Sequence, residues 1–478
     1  MSRPLRVAIV GGGVTGLALA HALEKTLAGV PSEVCLLEAS PRLGGNVHTH
    51  IHNGFVADAG PDSWVATKPH ATALAKELGL EDELIGTIPD NRRVYIAWGG
   101  KLHALPEGLV LGIPTEIGPM LGTELFSWDA KLRMALDLLV PPRSMSSGDD
   151  ESIAAFVGRR LGEDVADRLV GPLLSGIFAG DAADLSIRAT FPQLVEAEQK
   201  HGSLVRAMRA QLRERASKSG ERGGAPSMFL SLKRGMSDFV TTLAHRLRDA
   251  VVVTDAPVTR VEALPEGDPR GRWALTVTHG DARFADVVVG TTPAYAFAGP
   301  VRAVDPALAD ALAALTYVST ATVFLGFKKR DVAHALDATG FIVPRSMRRP
   351  MLASTWVSSK WEHRAPSGHV LVRVFFGGAE GERVLERDDA ELAELARTEL
   401  GAFVGVSGRT AFTKVFRFDK KSPQPLVGHL GRVARIKERL ALHPGLHYCG
   451  NGFDGSGIPD CVKQAEALAR VIGDRGAP

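Results

Sequence analysis

Along the chain the first pattern is an apolar run, LRVAIV at 5–10, that stops at three glycines; apolar positions then recur at helical spacing over 14–28, and EVCLLE at 33–38 is strand-like again. A continuous run suits a central parallel strand and a 3.6-residue recurrence suits a helix packed on it, so the N-terminus predicts a β-turn-α-β unit. From about 105 to 210, KLRMALDLLV, ESIAAFVGRRLG and EDVADRLVGPLLSGIF keep helical spacing between prolines, which predicts a helical insertion. ERASKSGERGGAPS, residues 214–227, is rich in Gly, Ser and charge and predicts an exposed loop.

Beyond 228 the period changes. A helix over MSDFVTTLAHRLRD leads into strand patterns in AVVVTDAPVTRVEAL, RWALTVTHG and FADVVVGTTP; between 315 and 377, TYVSTATVFLGF, GFIVP, MLASTWV and VLVRVFFGG predict a second sheet. LHYCGNGFDGSGIPDCVKQAEALARVIG then reads as strand, glycine-rich turn and helix. No internal repeat is visible.

At 478 residues the chain predicts two or three domains, with insertions. With 45% hydrophobic and 23% charged residues it is neither a disordered chain nor a multi-span membrane protein. A net charge of +2 lacks the dense basic surface that nucleic acid requires, so no nucleic acid partner is expected. Cys35, Cys449 and Cys461 have no metal-ligand spacing and build no disulfide framework, which suits a reducing compartment. With strand pattern from residue 5 and no signal-peptide run before it, a cytoplasmic placement is expected. The charge-free run ALAALTYVSTATVFLGF, 311–327, is short for a membrane span and reads as a helix end followed by a strand. Peripheral membrane contact through the helical insertion stays open, because it leaves a weaker trace; EGLVLGIPTEIGP suits such a surface as well as a solvated loop.

Gly11, Gly13 and Gly16 form G-x-G-x-x-G between strand and helix, with Gly12, Val14 and Thr15 between them. One glycine makes the turn, the next lets backbone approach a pyrophosphate, and the third permits tight helix-strand packing, with phosphate on the helix N-terminus. Glu38 ends the next strand, where a carboxylate binds ribose hydroxyls. An ADP-containing dinucleotide is the expected ligand. Beyond Glu38 stand Arg42, Gly44, Gly45, Thr49 and Gly54, then Gly60 with Pro61, Asp62 and Ser63. Arg42 can offer a fixed cation to the pyrophosphate, and the glycines let N–H groups approach without a Cβ in the way.

This extended pattern resembles the flavin-binding signature of the amine oxidase, phytoene desaturase and porphyrinogen oxidase superfamily, which implies non-covalent FAD. VVVTDAPVTRVEAL resembles the family's adenine-clasping strand pair, with Val258 at the contact. YCGNGFDGSGIPD resembles its C-terminal flavin motif, with Asn451, Ser456, Gly457 and Ile458 along the cofactor. The implied fold class is α/β: a Rossmann-like FAD-binding domain with an interleaved mixed-sheet substrate domain and a helical insertion. FAD-binding parts are expected at 1–90, 228–300 and 441–478, the helical insertion at 91–213 and the substrate-binding part at 301–440.

IFAGDAADLSIRATFPQLVEAEQKHGSL (177–204), NRRVYIAWGGKLHALPEG (91–108), TGFIVPRS and IPDC resemble oxygen-dependent protoporphyrinogen and coproporphyrinogen oxidases over nearly the whole chain. The resemblance implies that flavin N5 takes hydride from a meso carbon and that oxygen reoxidises the flavin. Three cycles then give a porphyrin and three hydrogen peroxides in heme biosynthesis, with no acid or base residue assigned. The first expectation is protoporphyrinogen IX and the alternative coproporphyrinogen III. Arg92 matches the family's propionate-binding arginine, with Arg93 one step away; Phe341 and Ile342 match apolar residues that sandwich a pyrrole, and Phe375 is a further candidate. Plain strand core explains Phe341 and Ile342 as readily. Arg345, Arg348, Arg349 and Lys360 are further cations near these segments. Where the family often has a tyrosine after its P-Q pair, this chain has Pro425.

Rival readings are a flavin oxidase of amines or carotenoids, and a non-catalytic carrier like the GDP-dissociation inhibitors. AGDAADLSIRATFP weighs against the first and the intact flavin motifs against the second. His48, His50 and His52 alternate, so a strand would align them on one face; a half-exposed strand is preferred to a metal site, and no metal is expected.

Overall fold

The computed structural model describes residues 3–476 apart from 107, 116–117, 144–148, 219–226, 279, 281 and 380. Among the described residues five parallel strands form one sheet, in the order Val251–Val253, Ser32–Leu37, Leu5–Val10, Val287–Gly290, Leu446–Tyr448. Ile9, Leu36 and Val289 pack on one face against helices Val14–Thr26, Ser237–Arg246 and Ile458–Gly476. Ala8, Val10 and Val288 pack on the other against Phe297, Leu308 and Leu312 of helices Ala294–Val301 and Pro306–Ala313. Burial on both faces is why these strands read as unbroken apolar runs.

A seven-stranded sheet runs in the order Phe412–Gln424, Thr316–Lys328, His369–Gly377, Met351–Thr355, Gly340–Ile342, Tyr95–Trp98, Lys101–Ala104. One face buries Val323, Val372, Val374 and Phe376 against Leu392, Ala396 and Leu400 of helix Asp389–Val404. The other packs Phe324 and Leu371 against Phe55 and Trp361.

Residues 95–104 therefore depart from the sequence expectation, which grouped them with the helices. Each of their two strands has only four residues, and the partner strand Gly340–Ile342 lies far along the chain. The edge strand Phe412–Gln424 was not anticipated either. It carries Lys414, Arg417, Asp419 and Lys420, the charge that protects a sheet edge from further pairing and that also weakens its apolar pattern.

The insertion from helix Gly118–Gly122 to helix Leu204–Lys218 has its own core, including Phe156, Leu161, Leu169, Leu185 and Leu194. Inside it Arg160, Asp137 and Glu198 are fully buried together. Arg160 Nε donates to Asp137 Oδ1 at 2.7 Å, and Ser203 Oγ and the Val205 N–H donate to Asp137 Oδ2 at 2.5 and 3.0 Å. The AGDAADLSIRATFP stretch ties the insertion to the second sheet: the Ser186 N–H donates to Pro425 O at 2.8 Å and Gln424 Nε2 to Phe178 O at 2.7 Å. Of the expected loop 214–227, residues 214–218 continue a helix and 219–226 lie outside the described residues.

Candidate functional site

Strand Leu5–Val10 delivers Gly11 at its C-terminal end, where open α/β sheets bind ligands. Gly11 has φ +116° and donates to Leu37 O at 2.8 Å; Thr291 Oγ1 donates to Gly11 O at 2.8 Å. A Cβ on Gly16 would strike Gly11 O, so this glycine sets how closely helix and strand approach. Gly13 sits against Gly44 and Gly45: the Gly44 N–H donates to Gly12 O at 2.8 Å, and a Cβ on Gly45 would stand 3.2 Å from Gly13 Cα. Helix Val14–Thr26 starts at Gly13 with no side-chain cap and no acidic residue in its first turn, while Val14 and Thr15 are buried beneath it. Its first N–H groups are thus available to a phosphate.

Glu38 accepts from the Gly12 N–H at 2.6 Å and from Ser40 Oγ at 2.7 Å, which fixes its carboxylate at the end of the second strand. Beside it a cleft of about 190 Å³ is lined by Leu37, Val253, Asp255 and Val277, the last of these paired with Val258. Arg42 does not extend as a free cation toward a pyrophosphate. Its guanidinium donates to Leu43 O at 2.9 Å, Val47 O at 3.0 Å and Gly45 O at 2.6 Å, so it braces the glycine turn from within.

At the far end Asn451 precedes helix Ile458–Gly476. Its carbonyl accepts from Tyr317 Oη at 3.0 Å, while its side-chain Oδ1 is buried without a hydrogen-bond partner. The Gly457 N–H donates to Asp460 Oδ2 at 3.1 Å, Ser456 stands just before it, and Ile458 is buried. An orphaned buried acceptor, an uncapped helix and a Cβ-free cradle between Gly13 and Gly45 fit a dinucleotide. Cys449 and Cys461 are also buried here, and burial raises both thiols, so neither is a ready nucleophile.

Gly60 closes the loop that faces the second sheet, where a Cβ would strike Asn46 O. Ala59 O, one residue earlier, accepts from Arg373 Nη2 at 2.7 Å and Thr322 Oγ1 at 3.2 Å. After Pro61, Asp62 accepts from Ser63 Oγ at 2.7 Å, Lys360 Nζ at 2.8 Å and Trp361 Nε1 at 3.1 Å. Burial would raise the Asp62 carboxyl, but Lys360 and Arg373 outweigh it and hold it well below the usual carboxylate range.

Strand register separates the expected pyrrole contacts. Ile342, Ala353, Phe375, Thr322 and Phe416 form one row across the sheet, on the face that reaches Ala59; Phe341, Ser354, Val374 and Val323 form the next row, on the opposite face. Phe341 is 1% exposed and packs on Trp356 and Phe403 in the core under helix Asp389–Val404. It is strand core, because neighbouring residues of a strand point to opposite faces. Ile342 and Phe375 keep a common face; Ile342 packs against the helical insertion and Phe375 lies 4.4 Å from the Arg373 guanidinium.

Arg92 is exposed just after the turn Pro89–Asn91, while Arg93 pairs with Asp337 at 3.1 Å. Of the other cations, Arg349 faces Glu399 on the core side, whereas Arg345 Nη2 donates to Gly180 O at 2.9 Å at the border of the insertion. Arg373 was missed. The one available signal was a single cation inside the otherwise apolar HVLVRVFFG. His50 and His52 stack on Phe412 and His48 lies edge-on to Phe416; among the described residues no three His, Cys, Asp or Glu side chains are placed to hold a metal. A cavity of about 510 Å³ opens beside Lys329, Asp337 and His369, at the opposite end of strand His369–Gly377 from the insertion, with no glycine-loop residue in its wall.

The family model of flavin-containing amine oxidoreductases matches residues 14–473. Coproporphyrinogen III oxidase of Bacillus subtilis is 36% identical, with 96% of each chain covered. The chloroplast protoporphyrinogen oxidase 1 of Arabidopsis thaliana is 28% identical over 96% of this chain and 86% of its own. A crystal structure from Exiguobacterium, of a protein assigned as a protoporphyrinogen oxidase, superposes with a TM-score of 0.86 at 33% identity, covering 99% of this chain and 100% of that one.

Proposed function

Since the chain belongs to the flavin-containing amine oxidoreductases and is an FAD-dependent oxidoreductase, we propose that it oxidises coproporphyrinogen III to coproporphyrin III in heme synthesis, with oxygen as acceptor. The carrying observation is the end-to-end likeness to the Bacillus coproporphyrinogen III oxidase, stronger than that to the plant protoporphyrinogen oxidase. This favours the alternative substrate over protoporphyrinogen IX, which the sequence put first.

Bound FAD supplies the hydride acceptor, the chemistry that no side chain provides. The chain's own residues position and enclose. The Gly13–Gly45 approach, the uncapped helix and Glu38 would hold the dinucleotide end, with Arg42 bracing their turn. Ile342 and Phe375 offer an apolar wall for the macrocycle, and Arg92 and Arg345, the latter also paired with Asp181 at 3.6 Å, are the cations proposed for propionates.

Aerobic incubation of the FAD-loaded protein with each porphyrinogen, followed by porphyrin fluorescence and peroxide, is expected to give a kcat/KM at least about tenfold higher for coproporphyrinogen III. The reverse preference would restore protoporphyrinogen IX. No porphyrin from either, with reducible flavin bound, would overturn porphyrinogen oxidation, and a protein that binds no flavin would point to the carrier reading.

The helical insertion also supports peripheral contact with a bilayer. Trp128, Leu132, Leu136 and Leu139 follow one another along helix Trp128–Ala135 and the turn after it, 70%, 67%, 41% and 77% exposed, with Lys131 Nζ 4.7 Å above the Trp128 ring. An exposed Trp and Leu stripe beside a lysine suits the headgroup boundary, whereas among the described residues no helix is long and apolar enough to cross a membrane. Wild-type protein is expected to co-sediment with phosphatidylglycerol vesicles and a W128S/L132S/L139S variant to stay in the supernatant. A wild type that stays there too would remove this contact.

A further inference from the structure

We propose that Arg373 is an electrostatic positioning residue for the flavin: its fixed positive charge, set against the loop that Gly60 closes, favours the reduced cofactor. The inference rests on the FAD-oxidase reading and extends it to a residue outside the flavin signature.

Four observations carry it. Arg373 is 7% exposed and stands on the sheet face that meets the first domain, between Phe324 and Phe375, with its guanidinium 5.4 and 4.4 Å from their ring centroids. Its Nη2 is fixed on Ala59 O at 2.7 Å, directly before Gly60, and its Nε is buried without a partner. The surrounding interior charges do not cancel. Asp58 pairs with Arg364 at 3.3 Å and Asp62 with Lys360 at 2.8 Å, so two carboxylates already face two cations and Arg373 is in excess. Burial lowers its pKa only to about 10, against Asp62 and Asp58, so it remains charged at neutral pH.

A buried cation in excess of its carboxylates is costly in the absence of an anion. Uptake of two electrons and one proton leaves the flavin ring with one net negative charge, whereas the oxidised ring is neutral. A charge held nearby in a medium of low polarity discriminates between those two states, which is the lever by which a protein tunes a flavin. Thr322, the second donor to Ala59 O, and the Phe375 ring fix where that charge stands. Phe375 is also a candidate pyrrole contact, so cofactor tuning and substrate packing meet on one strand.

The test is the midpoint potential of bound FAD, read spectroscopically on the holoprotein without turnover. Arg373→Met is expected to make reduction at least tenfold less favourable, a fall of about 30 mV for a two-electron couple, and Arg373→Lys to restore most of it. Asp62→Asn, which removes a compensating negative charge, is expected to move the potential upward. That opposite sign stands even if the methionine variant fails to retain flavin. A wild-type potential in both the Met and Asn variants, with FAD bound and porphyrinogen KM raised, would overturn the inference and make Arg373 a substrate contact. A wild type that binds no FAD would instead sink the reading on which it rests.

Discussion

Gly16→Ala is expected to yield a colourless protein. The added Cβ would strike Gly11 O and stand 2.9 Å from Thr291 Oγ1. Neither neighbour can give way cheaply. Gly11 is held by its N–H on Leu37 O at 2.8 Å, and its carbonyl already accepts from Thr291 Oγ1 at 2.8 Å. The helix must back away from the strand, which opens the Gly13–Gly45 approach and misdirects the N–H groups proposed for phosphate. FAD affinity is expected to fall at least a hundredfold, about 2.7 kcal/mol. Gly29→Ala is the control: its φ of +83° costs some backbone strain, but nothing lies within 4 Å of the new Cβ. The ratio of flavin to protein absorbance, followed by FAD titration of stripped protein, measures both. Stoichiometric FAD on Gly16→Ala would show that the helix does not set the cofactor's seat.

Arg160→Met is expected to unfold the helical insertion first. The guanidinium satisfies buried Asp137 and, at 3.3 Å, Glu198, together with the half-buried carbonyls of Val140 and Gly202 at 2.9 Å each. Removing it leaves Asp137 and Glu198 buried, with Asp137 losing its countercharge outright and Glu198 keeping Arg159 at 2.5 Å. Breaking one side of such a buried pair costs about 3–5 kcal/mol. The exposed pair Arg3–Asp286 gives the contrast, since Arg3→Met there should cost under about 1 kcal/mol. Thermal unfolding is expected to begin on the order of 10 °C lower in Arg160→Met, with early proteolytic cleavage between 118 and 204. An unchanged profile would mean that the ion cluster does not hold the insertion together.

The nucleotide half of the fold was legible because its signals are local. Strand, glycine turn, helix and Glu38 all lie within the first 38 residues, and each glycine has a steric reason that spacing alone announces. The second sheet was legible only as β pattern. That Ile342 and Phe375 share a face while Phe341 points into the core depends on which face helix Asp389–Val404 covers, and that helix comes later in the chain. Arg42 read as a fixed cation for the pyrophosphate, whereas its carbonyl partners depend on how the turn closes. Arg373 was hidden for a related reason. A lone arginine in a strand says nothing about Ala59 until two sheets are brought together.

The central strand Leu5–Val10 pairs with Val287–Gly290, which in turn pairs with Leu446–Tyr448. During synthesis the first βαβ unit therefore waits through the helical insertion for its neighbours Val251–Val253 and Val287–Gly290, and the sheet is completed only after the long strands of the second sheet have emerged. At ordinary ribosomal speed the last strand follows the one it pairs with by about ten to thirty seconds. Cofactor capture is thus a late event, possible only once both ends of the polypeptide have met. High contact order of this kind slows folding and leaves strand edges open in the interval. The nascent chain then depends on its two most self-contained bodies, the insertion and the second sheet, to stay out of aggregation until the nucleotide can lock the rest.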